Sequence, residues 1–481
     1  MPFTRFISKN SEGAHRLAEQ LDFHFSGRTM KNRLMKAAMA EQLATWDPDS
    51  AENSGIPTKE LIELYRRWGQ GANNWGMIVT GNISISYESI AIPGDAIITQ
   101  DAPFSGPRFE AFKELASVAK ANGSLIVGQL NHPGRQQQAK YARGREVIAP
   151  SAIQLGARAH FPLIPSSPSA SHALLTRPPP PNTAPKSLMT FAKPREATQT
   201  DITTVINSFA HAAAFLAAAG FDGIELHGAH GYLIAQFLSP STNLRTDAYG
   251  GSSLRNRMRL LLEIGAAIRA RVSPTFVVGV KLNSVEFQAG GLTPDEAAEL
   301  CRALQQQAGA GFDFVELSGG TLETVDDMRW EKPSTAAREA FFLEFAKQIA
   351  PALGTPAERK TKLFVTGGLR TVGGMLAALE SGCDGVGLGR PAAQEPGFAG
   401  DVVEGRVQAA VRAVPPFDLG SNLGIPLVMA AVQMRQIGQG KEPFDGSDED
   451  RVAEFQRALG EWFKATAASQ DSLSQHGYFD F

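Results

Sequence analysis

A chain of 481 residues is long enough for one large α/β domain with insertions or for two to three domains of ordinary size. Its formal net charge of −3 gives no basic footprint for nucleic acid, so we expect a small-molecule ligand. The sequence shows no apolar run of membrane-spanning length and no secretory leader, and we expect a cytoplasmic protein. Two cysteines, Cys301 and Cys383, cannot ligate an iron–sulfur cluster or build a disulfide framework, and we expect buried thiols.

Short apolar segments, each followed by a polar turn and usually by a helical pattern, recur between Lys31 and Arg390. The predicted strands are 32–39, 75–82, 125–130, 223–228, 276–283, 312–320, 363–368 and 385–390. The predicted helices are 58–71, 106–121, 200–219, 252–272, 293–310, 335–350 and 371–381. Thr198 and Asp201 stand at capping-box spacing before one of these helices. Eight predicted strands that alternate with helices imply parallel pairing. The count of eight favours a closed (β/α)8 TIM barrel over an open, doubly wound sheet.

Two segments fall outside this repeat. From Pro150 to Pro194 the chain carries ten prolines after the third predicted strand. In a barrel this insertion would hang over the carboxyl ends of the strands as a lid, or be a surface insertion without that role. The second segment, 397–481, contains an apolar stretch at 423–437 and a capped helix that begins at Ser447. We predict a barrel over 1–396 and a C-terminal extension packed on the barrel or on a neighbouring subunit.

Polar side chains follow the fourth predicted strand. Alternation places Glu225 and His227 on one face, and His230 and Tyr232 follow just beyond the strand end. Groups that bind an oxygen, next to a tyrosine that stays protonated at neutral pH, are suited to handling a carbonyl. A zinc site would need a third protein ligand, and none stands at a suggestive spacing. A histidine pair that only caps backbone groups is the structural alternative.

Other strand ends indicate a cofactor. The third and fifth strands offer Gln129 and Lys281 on their inward faces. The seventh and eighth strands end in glycines and a basic residue, namely Gly367, Gly368, Gly389 and Arg390. Backbone N–H groups at such glycines can approach a phosphate closely, at the place where barrels commonly bind one. A cofactor with a phosphate and a hydrogen-bonding heterocycle fits this set, although glycine also ends many strands without binding anything.

The motifs resemble those of one known family. HGAHGYLIAQFLSPSTNLRTDAYGGS, preceded by KNRLMKAAM and QLNHPGRQ and followed by GVKLN and GVGLGRP, resembles the old yellow enzyme family, the NADH:flavin oxidoreductases that include FMN-dependent ene-reductases. The resemblance extends from about Met30 to Pro396. It implies a TIM barrel that holds FMN without a covalent link. NADH or NADPH would reduce the flavin, which would reduce an alkene activated by a carbonyl or nitro group.

The resemblance also implies roles for individual residues. His227 and His230 would hold the substrate oxygen, and Tyr232 would protonate the α-carbon. The residues expected to bind the cofactor are Ala38, Met39, Ala40, Asn82, Gln129, Lys281, Gly320, Gly367, Gly368, Gly389 and Arg390. No metal is expected, and the partners would be a small alkene and a nicotinamide, with neither nucleic acid nor membrane.

Three departures from the family pattern stand out. Lys281 replaces an arginine found in many members, which keeps the positive charge but loses the bidentate geometry. The YGGSS segment is one residue longer than usual, so no role is carried over between Ser253 and Asn256. At Ala40, many members carry a Thr or Cys that hydrogen-bonds the flavin.

The departure at Ala40 predicts a flavin that is harder to reduce, because alanine provides no hydrogen bond to the ring. Ala40→Thr should raise the flavin reduction potential, measured by anaerobic dye titration. An unchanged potential in this variant would contradict the prediction.

Two other functions remain to be compared with ene reduction. Relatives that dehydrogenate amines or reduce dienoyl thioesters carry a cysteine cluster and a further nucleotide-binding domain, whereas this chain has two cysteines and no strand–GxGxxG–helix pattern after Pro396. A non-catalytic flavin-binding barrel would tolerate the loss of Tyr232. The presence of Tyr232 beside both histidines favours an enzyme.

Overall fold

The computed structural model describes residues 3–9, 11–156, 158–159, 188–286, 290–307, 309, 311–320, 343–415, 417–418, 424–469 and 473–481. Within these residues, eight parallel strands close into a barrel, because β8 pairs with β1 and β1 with β2. The strands are β1 (Leu34–Lys36), β2 (Met77–Ser84), β3 (Leu125–Asn131), β4 (Gly223–Gly228), β5 (Val277–Asn283), β6 (Phe314–Ser318), β7 (Lys362–Thr366) and β8 (Gly385–Leu388). The predicted TIM barrel is confirmed, and each strand overlaps its predicted segment.

Helices follow most strands and cover the outside of the barrel. The longer ones are α1 (Lys59–Gly69), α2 (Gly106–Ala119), α3 (Gln199–Ala218), α4 (Arg259–Arg269), α5 (Pro294–Gln306), α6 (Val372–Glu380), α7 (Gly424–Gly438) and α8 (Glu449–Ala468). Residues 343–349 are also helical, and the first part of the helix predicted over 335–350 lies outside the described residues. The capping box of Thr198 and Asp201 at the start of α3 is confirmed.

The helix predicted over 252–272 is interrupted. It forms a short turn, Leu254–Arg257, followed by α4. The buried guanidinium of Arg257 donates to the carbonyls of Leu238, Gly251 and Ser252. These bonds tie the short turn to the segment after β4.

The barrel interior is apolar toward the amino ends of the strands. A short antiparallel hairpin, Leu21–Asp22 with Thr29–Met30, precedes β1, and its side chains belong to the same buried cluster as the barrel interior. Phe23, in the turn of this hairpin, packs on Phe314 with 6.0 Å between ring centroids. The remaining members of the cluster are Met35, Ala37, Met77, Val79, Leu125, Val127, Val277 and Phe364. Among the residues that the structure describes, the polar side chains of the cleft lie above this layer.

Strand β2 contains a β-bulge, where the pairing with β3 shifts between Val79 and Asn82. The N–H of Gly81 in the bulge donates to Glu41 Oε1 at 2.9 Å and to the Tyr65 hydroxyl at 3.3 Å. A Cβ at Gly81 would collide with the Glu41 carboxylate and the Met39 carbonyl, so the bulge requires glycine. The sequence predicted that the strand ends near Asn82, but it continues through the bulge to Ser84.

The C-terminal extension packs on the barrel. Gly438 at the end of α7 lies directly against the backbone of Glu60 in α1. The Asp448 side chain caps α8, so the predicted capped helix begins two residues later than expected. Beyond it, Trp46 Nε1 donates to the carbonyl of Leu473 at 2.8 Å. These contacts join the extension to the segments after β1, and the domain division at residue 396 stays a prediction.

The proline-rich insertion can be described only at its ends. Val147–Ala149 and Pro194–Glu196 pair as short parallel strands beside the barrel. Its centre, 160–187, lies outside the described residues, so its predicted role as a lid stays a prediction. Cys301 and Cys383 are both buried, as expected. Over the described part of the chain, no helix combines the length and the apolar character that crossing a membrane requires.

Candidate active site

A polar layer lies above the apolar interior, formed by inward side chains of adjacent strands. Strand register places Asn82 beside Gln129, Gln129 beside Glu225, and His227 beside Lys281. All these strands run parallel, so their carboxyl ends meet at one mouth of the barrel. The structure therefore brings the predicted polar strand-end residues together in one cleft.

Lys281 is the cation at the base of this cleft. Its Nζ donates to Glu316 Oε1 at 2.8 Å, and both side chains are buried. Burial lowers the pKa of Lys281, but the charges of Glu316 and Glu225 outweigh it, so the net pKa is raised. Burial alone would raise the pKa of Glu316, but Lys281 and hydrogen bonds bring it below its ordinary value. The pair is therefore an ammonium bound to a carboxylate.

Glu225 is the second carboxyl in this cluster. Its Oε1 accepts a hydrogen bond from Gln129 Nε2 at 2.7 Å. Burial, followed by the charge of Glu316 beside it, raises the pKa of Glu225 well above its ordinary value. The raised pKa of Glu225 and the lowered pKa of Glu316 indicate that Glu225 holds a proton more readily than Glu316, which lies beside the Lys281 ammonium. The bond from Gln129 Nε2 turns the N–H2 end of this amide toward Glu225.

The two histidines stand above this cluster with ring centroids 5.2 Å apart. The Nδ1 of His227 accepts from the N–H of Ala229 at 3.4 Å, so the neutral ring carries its proton on Nε2. His230 has a left-handed backbone with φ of 57°, and its N–H donates to Asn283 Oδ1 at 3.1 Å. The Nε2 of His230 lies 2.8 Å from the Ser318 hydroxyl. The turn after β4 therefore holds the His227 ring, and Ser318 on β6 holds the His230 ring.

Both imidazoles are neutral at ordinary pH. Burial is the main cause that lowers the pKa of His227 well below its usual value, and His230 adds to it. Burial, with Lys281 next, lowers the pKa of His230 to about 3. A neutral imidazole still offers one N–H, so the pair can donate to a substrate oxygen without carrying charge.

Tyr232 completes the group. Its ring lies 4.5 Å from the ring of His227, centroid to centroid, immediately before the short helix Leu233–Leu238. Burial, followed by the charge of Asp95, raises the pKa of Tyr232 to about 12. The phenol therefore remains protonated over the physiological range and can act as an acid.

The expected cofactor residues surround the same mouth. Ala38 and Met39 are half-buried and Ala40 is exposed in the segment after β1. A Cβ at Gly389 would lie 3.6 Å from Met39 Cγ. The segment after β1, which contains Met39, therefore adjoins the segment after β8, where a phosphate is expected to bind. The other glycines have positive φ, namely Gly320 at 86°, Gly367 at 139° and Gly368 at 71°.

This donor set fits FMN. Gln129 and Lys281 provide an amide and a cation for a hydrogen-bonding heterocycle, and the glycines after β7 and β8 leave backbone open to a phosphate. Arg390 begins a short helix directly after Gly389 and can supply the positive charge for that phosphate. Across the described ranges, no group of three or more His, Cys, Asp or Glu side chains is arranged to hold a metal.

Three residues of the site were missed in the sequence analysis. Glu316 and Ser318 alternate with Phe314 along β6 and so face inward, a period-two signal that could have found them. Asp95 lies in the segment after β2 and carried no such signal. Its relevance follows only from the tertiary structure, in which its charge helps to raise the pKa of Tyr232.

The fold and the site together define a (β/α)8 barrel with a polar cleft suited to flavin and nicotinamide chemistry. Residues 22–353, more than half of the chain, match the model of the NADH:flavin oxidoreductase / NADH oxidase family. The chain belongs to this family. The resemblance is therefore confirmed, and with it an oxidoreductase that uses FMN and a reduced nicotinamide.

Curated relatives agree with this assignment. The chain is 44% identical over 452 residues to the NADH-dependent flavin oxidoreductase nadA of Aspergillus parasiticus, covering 94% of this chain and 92% of that protein. It is 36% identical over 382 residues to the NADH-dependent flavin oxidoreductase iccE of Talaromyces variabilis, covering 77% and 82%. A solved old yellow enzyme homologue from Zymomonas mobilis shares the fold, with a TM-score of 0.59, 22% identity, and 82% and 94% of the two chains covered.

Proposed function

We propose that this enzyme reduces the C=C bond of alkenes activated by a carbonyl or nitro group, such as enones and enals. The observation that carries the proposal is the arrangement of two neutral histidines and a protonated tyrosine within ring-to-ring distances of 4.5 to 5.2 Å, above the Gln129–Lys281 layer. FMN, when bound, supplies the hydride for the β-carbon.

The histidines bind the activating oxygen in this proposal. As the β-carbon receives a hydride, negative charge develops on the carbonyl or nitro oxygen. Neutral N–H donors already fixed in place stabilise that charge without having to reorganise. The bonds from Ala229 to His227 and between Ser318 and His230 hold the two rings for this purpose.

Tyr232 supplies the proton in the same step. Its O–H bond breaks as a C–H bond forms at the α-carbon, using the electron pair displaced from the C=C bond. Burial keeps the phenol protonated, and the short helix that starts after Tyr232 fixes its backbone. Lys281, paired with Glu316, would hold the polar edge of the flavin and favour negative charge there.

The two cysteines are unsuited to iron–sulfur chemistry, because two thiols cannot ligate a cluster. Burial raises the pKa of the Cys301 thiol and of the Cys383 thiol to about 12 in each case. Neither therefore supplies a thiolate at neutral pH.

Anaerobic stopped-flow absorbance tests the proposed function. The purified protein, loaded with FMN, should lose its yellow colour with NADH or NADPH and regain it with cyclohexenone, with free FMN at the same concentration as the control. A flavin that is reduced by nicotinamide but not reoxidised by any of a panel of enones, enals and nitroalkenes would refute ene reduction while leaving the family assignment intact.

A further inference from the structure

Lys36 and Glu41 stand at the two ends of the segment that follows β1 into the mouth of the barrel. Ala37 and Ala38 in this segment pack on the apolar cluster of the barrel interior. The N–H of Ala37 donates to the carbonyl of Leu388, at the end of β8, at 3.0 Å. Because β1 pairs with β8 on one side and with β2 on the other, this segment forms the wall of the cleft between those two strands.

Both charged side chains bind the backbone of the bulge in β2. Lys36 Nζ donates to the carbonyl of Val79, where the bulge begins, at 2.9 Å. Glu41 Oε1 accepts from the N–H of Gly81 at 2.9 Å. A Cβ at Gly81 would lie 2.3 Å from the Met39 carbonyl oxygen, so the bulge lies directly against the segment after β1. The two side chains therefore hold the bulge at two points.

The two charges also stabilise each other away from solvent. Lys36 is fully buried, and its Nζ lies 3.7 Å from Glu41 Oε1 and 4.0 Å from the centroid of the Trp68 ring. Burial lowers the pKa of Lys36 to about 8, and the charge of Glu41 opposes this fall. The hydroxyl of Tyr65 in α1 donates to the same carboxylate oxygen. Because a buried ion is costly once it loses its partner, the pair resists displacement of the bulge.

We propose that Lys36 and Glu41 form a clamp that positions the cofactor, because they fix the segment after β1 against the bulge of β2 and so set the cleft wall that receives the flavin. Both are positioning residues, which act through backbone and do not touch the flavin themselves. The bulge they hold also determines which side chain of β2 faces the cleft, since it brings Asn82 beside Gln129. The clamp concerns FMN binding and does not depend on the reduction of an alkene.

Glu41→Leu tests the clamp by removing the acceptor of the Gly81 N–H. The Kd for FMN should increase by about tenfold to a hundredfold, the range expected for losing a hydrogen bond to a charged group. Titration of the full-length apoprotein with FMN, followed by flavin fluorescence, measures this constant. At saturating FMN, the visible circular dichroism of the bound flavin should also change, because the wall beside the ring is no longer held in place.

Glu41→Gln is the conservative variant, which keeps an oxygen for the Gly81 N–H and loses the charge. A neutral acceptor forms a weaker hydrogen bond than a carboxylate, so the Kd for FMN should stay within about fivefold of the parent value. The visible circular dichroism of its bound flavin should match that of the parent protein. A Glu41→Gln variant that binds FMN as weakly as Glu41→Leu would overturn the proposal, because the bond to the bulge would then not be what matters.

Asp384→Val is the matched control for a general loss of stability. Asp384 is also a buried carboxylate, and its Oδ2 accepts from Arg359 Nη1 and from the N–H of Leu363, each at 2.8 Å. It directly precedes β8 and so lies at the end of the barrel opposite the cleft. Its replacement should lower the free energy of unfolding in urea, as Glu41→Leu does, but should leave the Kd for FMN within about threefold, as expected for a distant site. An equal loss of FMN affinity in Asp384→Val would overturn the proposal.

A double variant keeps the test decisive if Glu41→Leu does not fold. Lys36→Met combined with Glu41→Leu removes both charges and leaves neither buried ion without its partner, so this variant should fold. It should still bind FMN at least about tenfold more weakly than the parent protein, because the bulge has lost both side-chain bonds. An unchanged Kd for FMN, or failure of the double variant to fold, would overturn the proposal and assign the pair to stability alone.

Discussion

Replacing Tyr232 with phenylalanine is expected to slow flavin reoxidation by an enone by about two orders of magnitude or more, as is typical of losing a positioned acid. Flavin reduction by NADH should be nearly unchanged, because that half-reaction needs no proton at the α-carbon. The ring contact with His227 at 4.5 Å is retained by phenylalanine, so the site should keep its shape. Stopped-flow absorbance measures both half-reactions separately.

Tyr249→Phe is the matched control for this experiment. The Tyr249 phenol is also largely buried, but it donates to Glu263 at 2.8 Å, away from the histidine pair. Its loss should leave both half-reactions of the flavin unaffected. Equal slowing of reduction and reoxidation by Tyr232→Phe would contradict the role of the phenol as an acid.

Replacing Lys281 with methionine is expected to lower the free energy of unfolding by about 3 to 5 kcal/mol, the usual cost of leaving a buried charge without its partner. Glu316 and Glu225 would then face each other without a cation. In the parent protein, Lys281 Nζ lies 2.8 Å from Glu316 Oε1, and its charge lowers the pKa of Glu316. FMN affinity should also fall. Urea denaturation of the apoprotein measures the first effect, and flavin fluorescence the second.

The pH dependence of this variant has a defined sign. Without Lys281, burial raises the pKa of Glu316 in the folded state above its unfolded value, so the variant is most stable where Glu316 is protonated. The defect should therefore be smaller at pH 5 and grow as pH rises. Lys281→Arg, which keeps the charge, and Lys281→Met combined with Glu316→Gln, which removes both charges, should each recover part of the stability. A loss below about 1 kcal/mol in Lys281→Met would show that the carboxyls do not depend on this cation.

Local patterns in the sequence determined much of the fold. Apolar segments that alternate with amphipathic helices were sufficient to predict a barrel, because both signals depend on neighbouring residues along the chain. The capping box of Thr198 and Asp201 could be predicted for the same reason, because its two residues are only three positions apart. Polar residues at the ends of predicted strands also located the cleft, because the carboxyl ends of parallel strands must meet.

Other features depend on residues that are distant in sequence. The direction of Asn82 is set by a bulge that Glu41 and Tyr65 hold from other segments, and a period-two pattern read along β2 alone points the wrong way. The short turn before α4 is likewise held by carbonyls of an earlier segment, which accept hydrogen bonds from Arg257.

The sequence by itself therefore determined that this chain is a barrel with histidines and a tyrosine at the mouth, since those signals are local and periodic. Only the tertiary structure decided the protonation states of the histidines and of the buried carboxyls near Lys281. Protonation depends on burial and on charges brought close by strand register, as Lys281 and Glu316 are across β5 and β6. The lowered pKa values of both histidines, the further rise in the pKa of Tyr232 and the raised pKa of Glu225 follow from that packing.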